Sequence, residues 1–263
     1  MRLPFHLLIC SLFVSILTHG QNNIQKGITL YQSKKLDDAA KSLKAIEDTS
    51  GDYATAQYYL GRIAYDKKEY DDAVDYFKVA TEKSPANSEY YNWLGDAYSG
   101  VGSVSSIFTQ MSVGPKALRA WEKAAELNPK IINARVSLVD SYIVAPEFMG
   151  GGESKANAVA KEVLPLLEES IKTNPDNFQH QYWYGKITAL TGINMERGEA
   201  FLLSYLKHTP TKEEPSHAGA NMRLGQIKEK QGNKAEAKRY YEAALKLDGK
   251  LEGAKKGLER VSK

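Results

Sequence analysis

"YDDAVDYFKVATEKSP" at residues 70–85 decides the fold, because other segments of the chain repeat its pattern. "LDDAAKSLKAIEDTSG" at residues 36–51 lies 34 residues before it, and residues 224–249 parallel residues 60–85 over their whole length. The same spacing of 34 separates three glycines: Gly27, Gly61 and Gly95. A period of this length indicates a repeat protein, in which each unit buries its apolar face against its neighbours.

Helical spacing is visible within the unit at residues 54–87. Ala73, Phe77 and Ala80 fall on one face of a helix, and Pro85 ends that helix. Gly61 lies in the preceding helix, where the lack of a side chain allows two helix backbones to approach closely. The pattern therefore predicts a pair of packed helices for each period.

These segments resemble tetratricopeptide repeats (TPRs), and in particular the repeats of small exported bacterial TPR proteins. The resemblance implies an all-α fold, a right-handed superhelical solenoid of about six helix-turn-helix units over residues 21–251, with a capping helix at residues 252–263. Carrying the register along the chain gives the units in order: about 20–53, 54–87, 88–131, 132–177, 178–217 and 218–251.

The first twenty residues have the pattern of a signal peptide, with Arg2 before an uncharged apolar run from Leu7 to Leu17. We expect cleavage near residue 20 and a protein that is exported to the periplasm or cell envelope. An uncleaved anchor and a lipoprotein modified at Cys10 are the alternatives. Cys10 is the only cysteine, so a mature chain would have no disulfide and no thiolate metal site.

Charge gives little indication of a nucleic-acid partner, since the formal net charge is only +3 and the basic residues form no runs. Residues 226–263 carry 11 Lys and Arg against 6 Asp and Glu, a local net charge of +5. This tail is either a solvated end helix or a weak contact for an acidic partner or anionic lipid. We expect at most a peripheral membrane contact.

Two insertions interrupt the regular period, near residues 103–116 and 145–155. The first insertion contains Ile107, Phe108 and Met111, which we expect to fold back onto the solenoid instead of waiting for a partner. In the second helix of the fourth unit, Pro165 should kink or restart the chain.

The second insertion contains three consecutive glycines, Gly150 to Gly152, followed by Ser154 and Lys155. A phosphate-binding loop requires G-x-x-x-x-G-K-[ST] after a strand, and this segment lacks both. We therefore expect a connector in which the glycines adopt positive φ and Ser154 caps the next helix. An anion at the helix start is the alternative.

No catalytic, metal or cofactor motif is found in the sequence. His180, His208 and His217 lack a second histidine at metal-binding helical spacing, and no nucleophile motif or dinucleotide fingerprint is present. Asp71 and Asp72 fall in the first turn of a helix, where carboxylates are favoured electrostatically. We expect no enzyme activity and no cofactor. The alternative is an envelope enzyme, or an enzyme subunit, with a site at the inserted loops.

The resemblance implies a protein or peptide partner, bound on the concave face that the first helices of the repeats line. Its face positions transfer to seven residues of this chain: Tyr58, Arg62, Tyr65, Asn92, Asp96, Tyr182 and Lys186. Tyr58 and Tyr182 have the alternative role of packing between repeats. A non-catalytic scaffold of the cell envelope is the expected function, and self-association through the end repeats is a further hypothesis.

Overall fold

The structure is a computed structural model that describes residues 23–263, and every regular element in this range is helical. The all-α prediction is confirmed. The predicted signal peptide and Cys10 lie outside the described residues. The chain is divided into two compact units, one ending at Ile131 and the other spanning Ile132–Lys263.

The first unit consists of consecutive helices that each pack against the next, joined by short connections. The helices are α1 (23–32), α2 (Leu36–Lys44), α3 (Tyr53–Asp66), α4 (Tyr70–Lys83), α5 (Ser88–Val104) and α6 (Ile107–Leu127).

Close packing within each pair depends on a small residue in the first helix. A Cβ at Gly61 would lie 2.7 Å from Cε1 of Phe77, and one at Gly95 would lie 2.5 Å from Trp121 Cδ1. Phe77 is fully buried, so the aromatic ring fills the space that any side chain at Gly61 would need. This contact explains why the repeat period carries a glycine at that position.

The insertion in the third repeat forms helix rather than loop. It lengthens α5 to 17 residues and α6 to 21, compared with 14 in both α3 and α4. The expected fold-back is wrong: Ile107, Phe108 and Met111 are 60%, 79% and 46% exposed. The extended turns pass the ends of the shorter α3 and α4, so these side chains find no packing surface within the unit.

The second unit has seven helices and a short 3₁₀ turn, Glu147–Met149, after the first helix. Its helices are α7 (Ile132–Val144), α8 (Glu153–Thr173), α9 (Phe178–Thr191), α10 (Met195–Tyr205), α11 (His217–Lys230), α12 (Lys234–Leu247) and α13 (Glu252–Val261). Within residues 23–263, no helix combines the length and apolar character that spanning a membrane requires.

Helix α8 corrects one expectation and limits another. It continues through Pro165 and does not restart there, since the burial of Leu164 and Leu167 offsets the hydrogen bond that proline removes; a kink at Pro165 remains a prediction. Its N-cap is Gly152, at φ 121°, and no side chain caps the helix, so the prediction that Ser154 is the cap is wrong. Ser154 lies inside the first turn, where its hydroxyl is no longer in the capping position.

The glycine loop before α8 is a closely packed connector. Gly150 and Gly152 have φ of 92° and 121°, as expected for glycines that reverse the chain. Lys155 Nζ donates a hydrogen bond of 2.8 Å to the Gly150 carbonyl and lies 5.6 Å from the centroid of the Tyr142 ring. The lysine therefore stabilises its own loop.

At the carboxyl end, α13 packs against α11 and α12. Gly257 faces the buried Tyr241, whose hydroxyl donates to Glu229 Oε2 at 2.6 Å. Arg260 donates two hydrogen bonds to the same Glu229 carboxylate, at 2.7 Å and 2.8 Å. These contacts join α13 to both helices of the preceding pair.

Candidate functional site

The candidate site is an aromatic cluster around Arg62 in the first unit, which we call the Arg62 cluster. It comprises side chains of α1, α3 and α5: Tyr31, Tyr58, Arg62, Tyr65, Asn92, Trp93 and Asp96. The guanidinium carbon of Arg62 lies 3.7 Å from the centroid of the Trp93 ring, and Arg62 Nη1 donates to the Tyr58 hydroxyl at 2.8 Å. Arginine over an aromatic face gains a cation–π interaction.

Asp96 supplies the negative charge of the cluster. Its carboxylate accepts hydrogen bonds from Trp121 Nε1 at 2.9 Å and from Asn92 Nδ2 at 3.3 Å. Burial is the main cause that raises the pKa of Asp96 to about 7, and the nearby Glu89 carboxylate adds to it. The two hydrogen bonds and Arg62 oppose this shift. The carboxyl group therefore changes its charge near neutral pH.

Tyr65 extends the aromatic surface of the cluster. Its ring meets the ring of Trp93 edge to face, at a centroid separation of 5.4 Å, and contacts Tyr70 in the same way at 5.2 Å. Burial raises the pKa of Tyr65 to about 12, so its hydroxyl stays neutral and can donate a hydrogen bond.

Two polar atoms of the cluster lack a hydrogen-bond partner within the described part of the chain. They are Arg62 Nε, a donor, and Asn92 Oδ1, an acceptor, and both are buried. Buried polar groups are nearly always paired, so an unpaired donor and acceptor on neighbouring helices mark a place where a further group could bind.

Five of the seven predicted partner-binding residues meet in this cluster, in two different environments. Tyr58 and Asn92 are buried, 8% and 1% exposed. For Tyr58, this burial agrees with the alternative role of packing between repeats. Arg62, Tyr65 and Asp96 are partly buried and reach the surface. A partner contact at all five remains a prediction.

Sequence reasoning missed Trp93, although its ring centroid lies nearer the Arg62 guanidinium than those of Tyr31 and Tyr58. The face positions transferred from the family fall at residues 92 and 96, and Trp93 lies one position outside that register. The signal available was residue type, since exposed or half-exposed tryptophan is often a binding anchor.

The other two predicted residues lie in the second unit. Tyr182 is buried, 8% exposed, and packs against Tyr205 and Leu224, again the packing alternative. Lys186 Nζ forms an ion pair with Asp140 Oδ2 at 2.5 Å. Val139 occupies the position equivalent to Gly61, so Asp140, the next residue, is equivalent to Arg62. The repeat register therefore indicated Asp140, but the fourth repeat diverges so far from the others that this residue was not predicted.

The second unit also has a cavity of about 470 Å³ between α9, α11 and α13. It is lined by Ala189, Leu190, Gln226, Glu229, Lys230 and Arg260. Glu229 and Arg260 are paired with each other here, so the polar lining of the cavity is largely satisfied by the protein itself.

The histidines have structural contacts. His180 Nδ1 lies 2.7 Å from Ser170 Oγ, and burial lowers the pKa of this imidazole. His208 stacks on Phe178 and lies 3.0 Å from Glu214, and His217 Nε2 donates to the His208 carbonyl at 2.8 Å. Among residues 23–263, no group of three or more histidine, cysteine or acidic residues is arranged to hold a metal ion.

Sequence comparison identifies the repeats. A family model described as Tetratricopeptide repeat matches residues 24–88, and another with the same description matches residues 218–251. The chain is a tetratricopeptide-repeat protein. TPR proteins generally bind protein or peptide partners, and the TPR fold serves as an interaction scaffold. Among curated proteins, none is similar in sequence to this one.

Solved TPR structures share the fold at low identity. PilF of Pseudomonas aeruginosa is 12% identical, with a TM-score of 0.57 over 91% of this chain and 96% of that protein. PilW, described as a widely conserved type IV pilus biogenesis factor, is 14% identical, with a TM-score of 0.55 over 93% and 98% of the two chains. Human IFIT1, solved as a dimer with m7Gppp-AAAA, is 18% identical, with a TM-score of 0.56 over 93% of this TPR protein and 58% of IFIT1.

Proposed function

We propose that this TPR protein is a non-catalytic scaffold of the cell envelope that binds a peptide or partner helix at the Arg62 cluster. The observation that carries the proposal is the pairing of a large aromatic surface with an unpaired donor and acceptor, Arg62 Nε and Asn92 Oδ1. A polypeptide backbone presents both complementary groups at every residue, a carbonyl and an N–H.

The cluster suits a polypeptide for a second reason. Trp93, Tyr65 and Arg62 are residue types that dominate binding energy at protein interfaces, because they bury a large area and keep a polar group available. Arg62 Nε and Asn92 Oδ1 are buried in the free protein, so binding at these atoms requires side chains of the cluster to move aside for the peptide.

Placement in the cell envelope rests on the sequence of residues 1–20, whose charge and apolar run have the pattern of an export signal. The first insertion places apolar side chains at the surface, and in the second Lys155 is hydrogen-bonded to its own loop, so we propose no enzyme activity for either insertion.

Site-specific photo-crosslinking tests this function. A photoreactive amino acid at Tyr65 or Trp93 should capture one recurrent protein in cells, whereas the same amino acid at the exposed Lys78 on α4 should not. The captured segment, made as a peptide, should bind the purified protein, and Trp93→Leu should weaken that binding at least tenfold. Equal capture at Lys78, or unchanged affinity of Trp93→Leu, would reject the Arg62 cluster as the binding face.

A further inference from the structure

The tip of the α5–α6 pair exposes a compact set of apolar side chains, which we call the α5–α6 tip. Val104 ends α5, and Ile107, Phe108 and Met111 lie in the first turns of α6; their exposed fractions are 72%, 60%, 79% and 46%. Only two residues, Ser105 and Ser106, join the helices, so these side chains are held close together. Contiguous exposed apolar groups of this size mark an interaction surface.

Charge is absent from the tip and concentrated just behind it. None of the 19 residues from 97 to 115 is charged, although a quarter of the whole chain is Asp, Glu, Lys or Arg. The next two charged residues of α6 are Lys116 and Arg119, both exposed and both basic. The first acidic residue after them is Glu122.

The apolar and basic side chains of α6 are separated by a fixed distance along the helix. Phe108 and Lys116 are eight residues apart on one helix, as are Met111 and Arg119, which corresponds to about 12 Å along the axis. Protein segments that lie at a bilayer surface bury their apolar side chains about 5–10 Å deep. At that depth Lys116 and Arg119 would reach the level of the lipid phosphates.

We propose that the α5–α6 tip inserts into the surface of an anionic lipid bilayer, with Lys116 and Arg119 contacting the headgroups. A fluid bilayer accepts a projecting apolar tip without a preformed pocket. A symmetric pair of tips from two copies would place the same basic residues of both chains around one contact, which is unfavourable. Basic charge beside apolar tip residues is complementary to anionic lipid.

A fluorophore that responds to polarity tests the insertion directly. It is attached to a single cysteine in a Cys10→Ser background, at Phe108→Cys or, as a matched control, at Leu247→Cys. Leu247 ends α12 and is 60% exposed, compared with 79% for Phe108, so both positions carry an apolar side chain at the surface. Vesicles of equal phosphatidylglycerol and phosphatidylcholine should shift the emission to the blue at position 108 and not at position 247.

A charge variant tests the headgroup contact. Lys116→Gln with Arg119→Gln should lower the partition constant measured at position 108 by on the order of tenfold. Lys246→Gln with Lys250→Gln, which removes the same charge from the basic tail, should change it less than twofold. Circular dichroism establishes that each variant keeps its helical content.

Three results would overturn the proposal. The first is an equal emission shift at positions 108 and 247, which would indicate nonspecific adsorption. The second is a larger effect of the Lys246 and Lys250 changes, which would assign the lipid contact to the tail. The third is a shift at position 108 that grows with protein concentration without vesicles, which would assign the tip to contact with a second copy.

Discussion

The ring of Phe77 occupies the space beside Gly61, so that a Cβ at Gly61 would lie 2.7 Å from the ring carbon Cε1. Real Cβ atoms do not approach so closely, and Phe77 is fully buried and has no room to move. The repeat period is therefore a packing requirement between α3 and α4.

Gly61→Ala should destabilise the first unit. Overpacking costs about 1–3 kcal/mol, which exceeds the gain of up to about 1 kcal/mol from replacing glycine by alanine within a helix. Urea unfolding and hydrogen exchange of α3 and α4 measure the change. Gly51→Ala is the control, because no atom lies within 4 Å of the position that a Cβ would take there. Phe77→Leu added to Gly61→Ala should recover part of the loss; equal stability of Gly61→Ala and Gly51→Ala would contradict the packing argument.

Arg62 and Trp93 should be energetically coupled. A double-mutant cycle with Arg62→Met and Trp93→Leu should give a coupling free energy of about 0.5–2 kcal/mol, because the guanidinium lies directly over the indole in a partly buried setting. The comparison pair is Lys83 and Tyr53, 5.5 Å apart with an exposed lysine, which should couple more weakly. Equal coupling in the two pairs would show that the stacking at Trp93 has no special strength.

Asp96 should make the first unit less stable as the pH rises. Its pKa in the folded protein is about 7, compared with an ordinary aspartate value of 3.8, so between these values the folded state holds a proton that the unfolded state has lost. The contribution of the protonated Asp96 carboxyl to the free energy of unfolding is therefore fully present below about pH 4 and is lost as the pH rises to about 7. The loss should be on the order of 2 kcal/mol, since each pKa unit corresponds to about 1.4 kcal/mol and partial exposure reduces the effect.

Unfolding of Asp96→Asn measured from pH 4 to pH 8 checks this expectation. The variant should lose the downward slope between pH 4 and pH 7, because an amide does not titrate. Asp71→Asn makes the same chemical change at an exposed position and should keep the slope of the unmodified protein. Identical pH profiles for both variants would exclude Asp96 as the cause.

Glu229 and Arg260 should stabilise the attachment of α13 at neutral pH but not in acid. The Arg260 hydrogen bonds are the main cause that lowers the pKa of Glu229, so this stabilisation is present above the unfolded pKa of about 4.3 and is lost as the pH falls through the folded pKa. Arg260→Gln should cost about 0.5–1 kcal/mol at pH 7, because the arginine is half exposed.

Hydrogen exchange of α13 at pH 7 and pH 3 measures this effect. The exchange should be faster in Arg260→Gln than in the unmodified protein at pH 7, and the difference should be smaller at pH 3. Arg239→Gln removes an exposed pair with Glu236 on α12 and should leave α13 unchanged. An Arg260→Gln difference that is as large at pH 3 as at pH 7 would show that packing of the arginine stem, not its ion pair, holds the helix.

Gly151→Ala should disrupt the glycine loop before α8. A Cβ at Gly151 would lie 1.9 Å from the Ala145 carbonyl oxygen, and backbone cannot rotate away as a side chain can. Gly232→Ala is the control, since Gly232 has φ of 77° but nothing within 4 Å of its Cβ position, so it carries only the left-handed cost of about 1–2 kcal/mol. Thermal unfolding should rank Gly151→Ala well below Gly232→Ala; the reverse order would mean that the loop tolerates a side chain at Gly151.

The helical pairs could be predicted because each repeat is stabilised by local contacts that recur at a fixed spacing. The contacting pairs are each 16 residues apart: Gly61 with Phe77, and Gly225 with Tyr241. The periodic pattern therefore predicts which residues contact each other. The capping position of Ser154 was predicted wrongly, since the start of α8 is set by the φ angles of the preceding glycines rather than by residue type.

The candidate site was predicted only in part for a different reason. The register placed Tyr58, Arg62, Tyr65, Asn92 and Asp96 on neighbouring first helices, and the structure brings them together. Which of them is buried depends on side chains from other helices, such as Trp93, Trp121 and Tyr31, that no single repeat specifies.

The sequence by itself determined the all-α fold, the 34-residue period and the glycine contacts, because these follow from interactions within one repeat or between adjacent repeats. Tertiary structure alone decided that Asn92 is covered, that the Asp96 carboxyl keeps its proton to about pH 7, and that Phe108 remains exposed. Burial is the physical reason: it depends on how far neighbouring helices extend, and the lengths of α5 and α6 relative to α3 and α4 were not evident from the period.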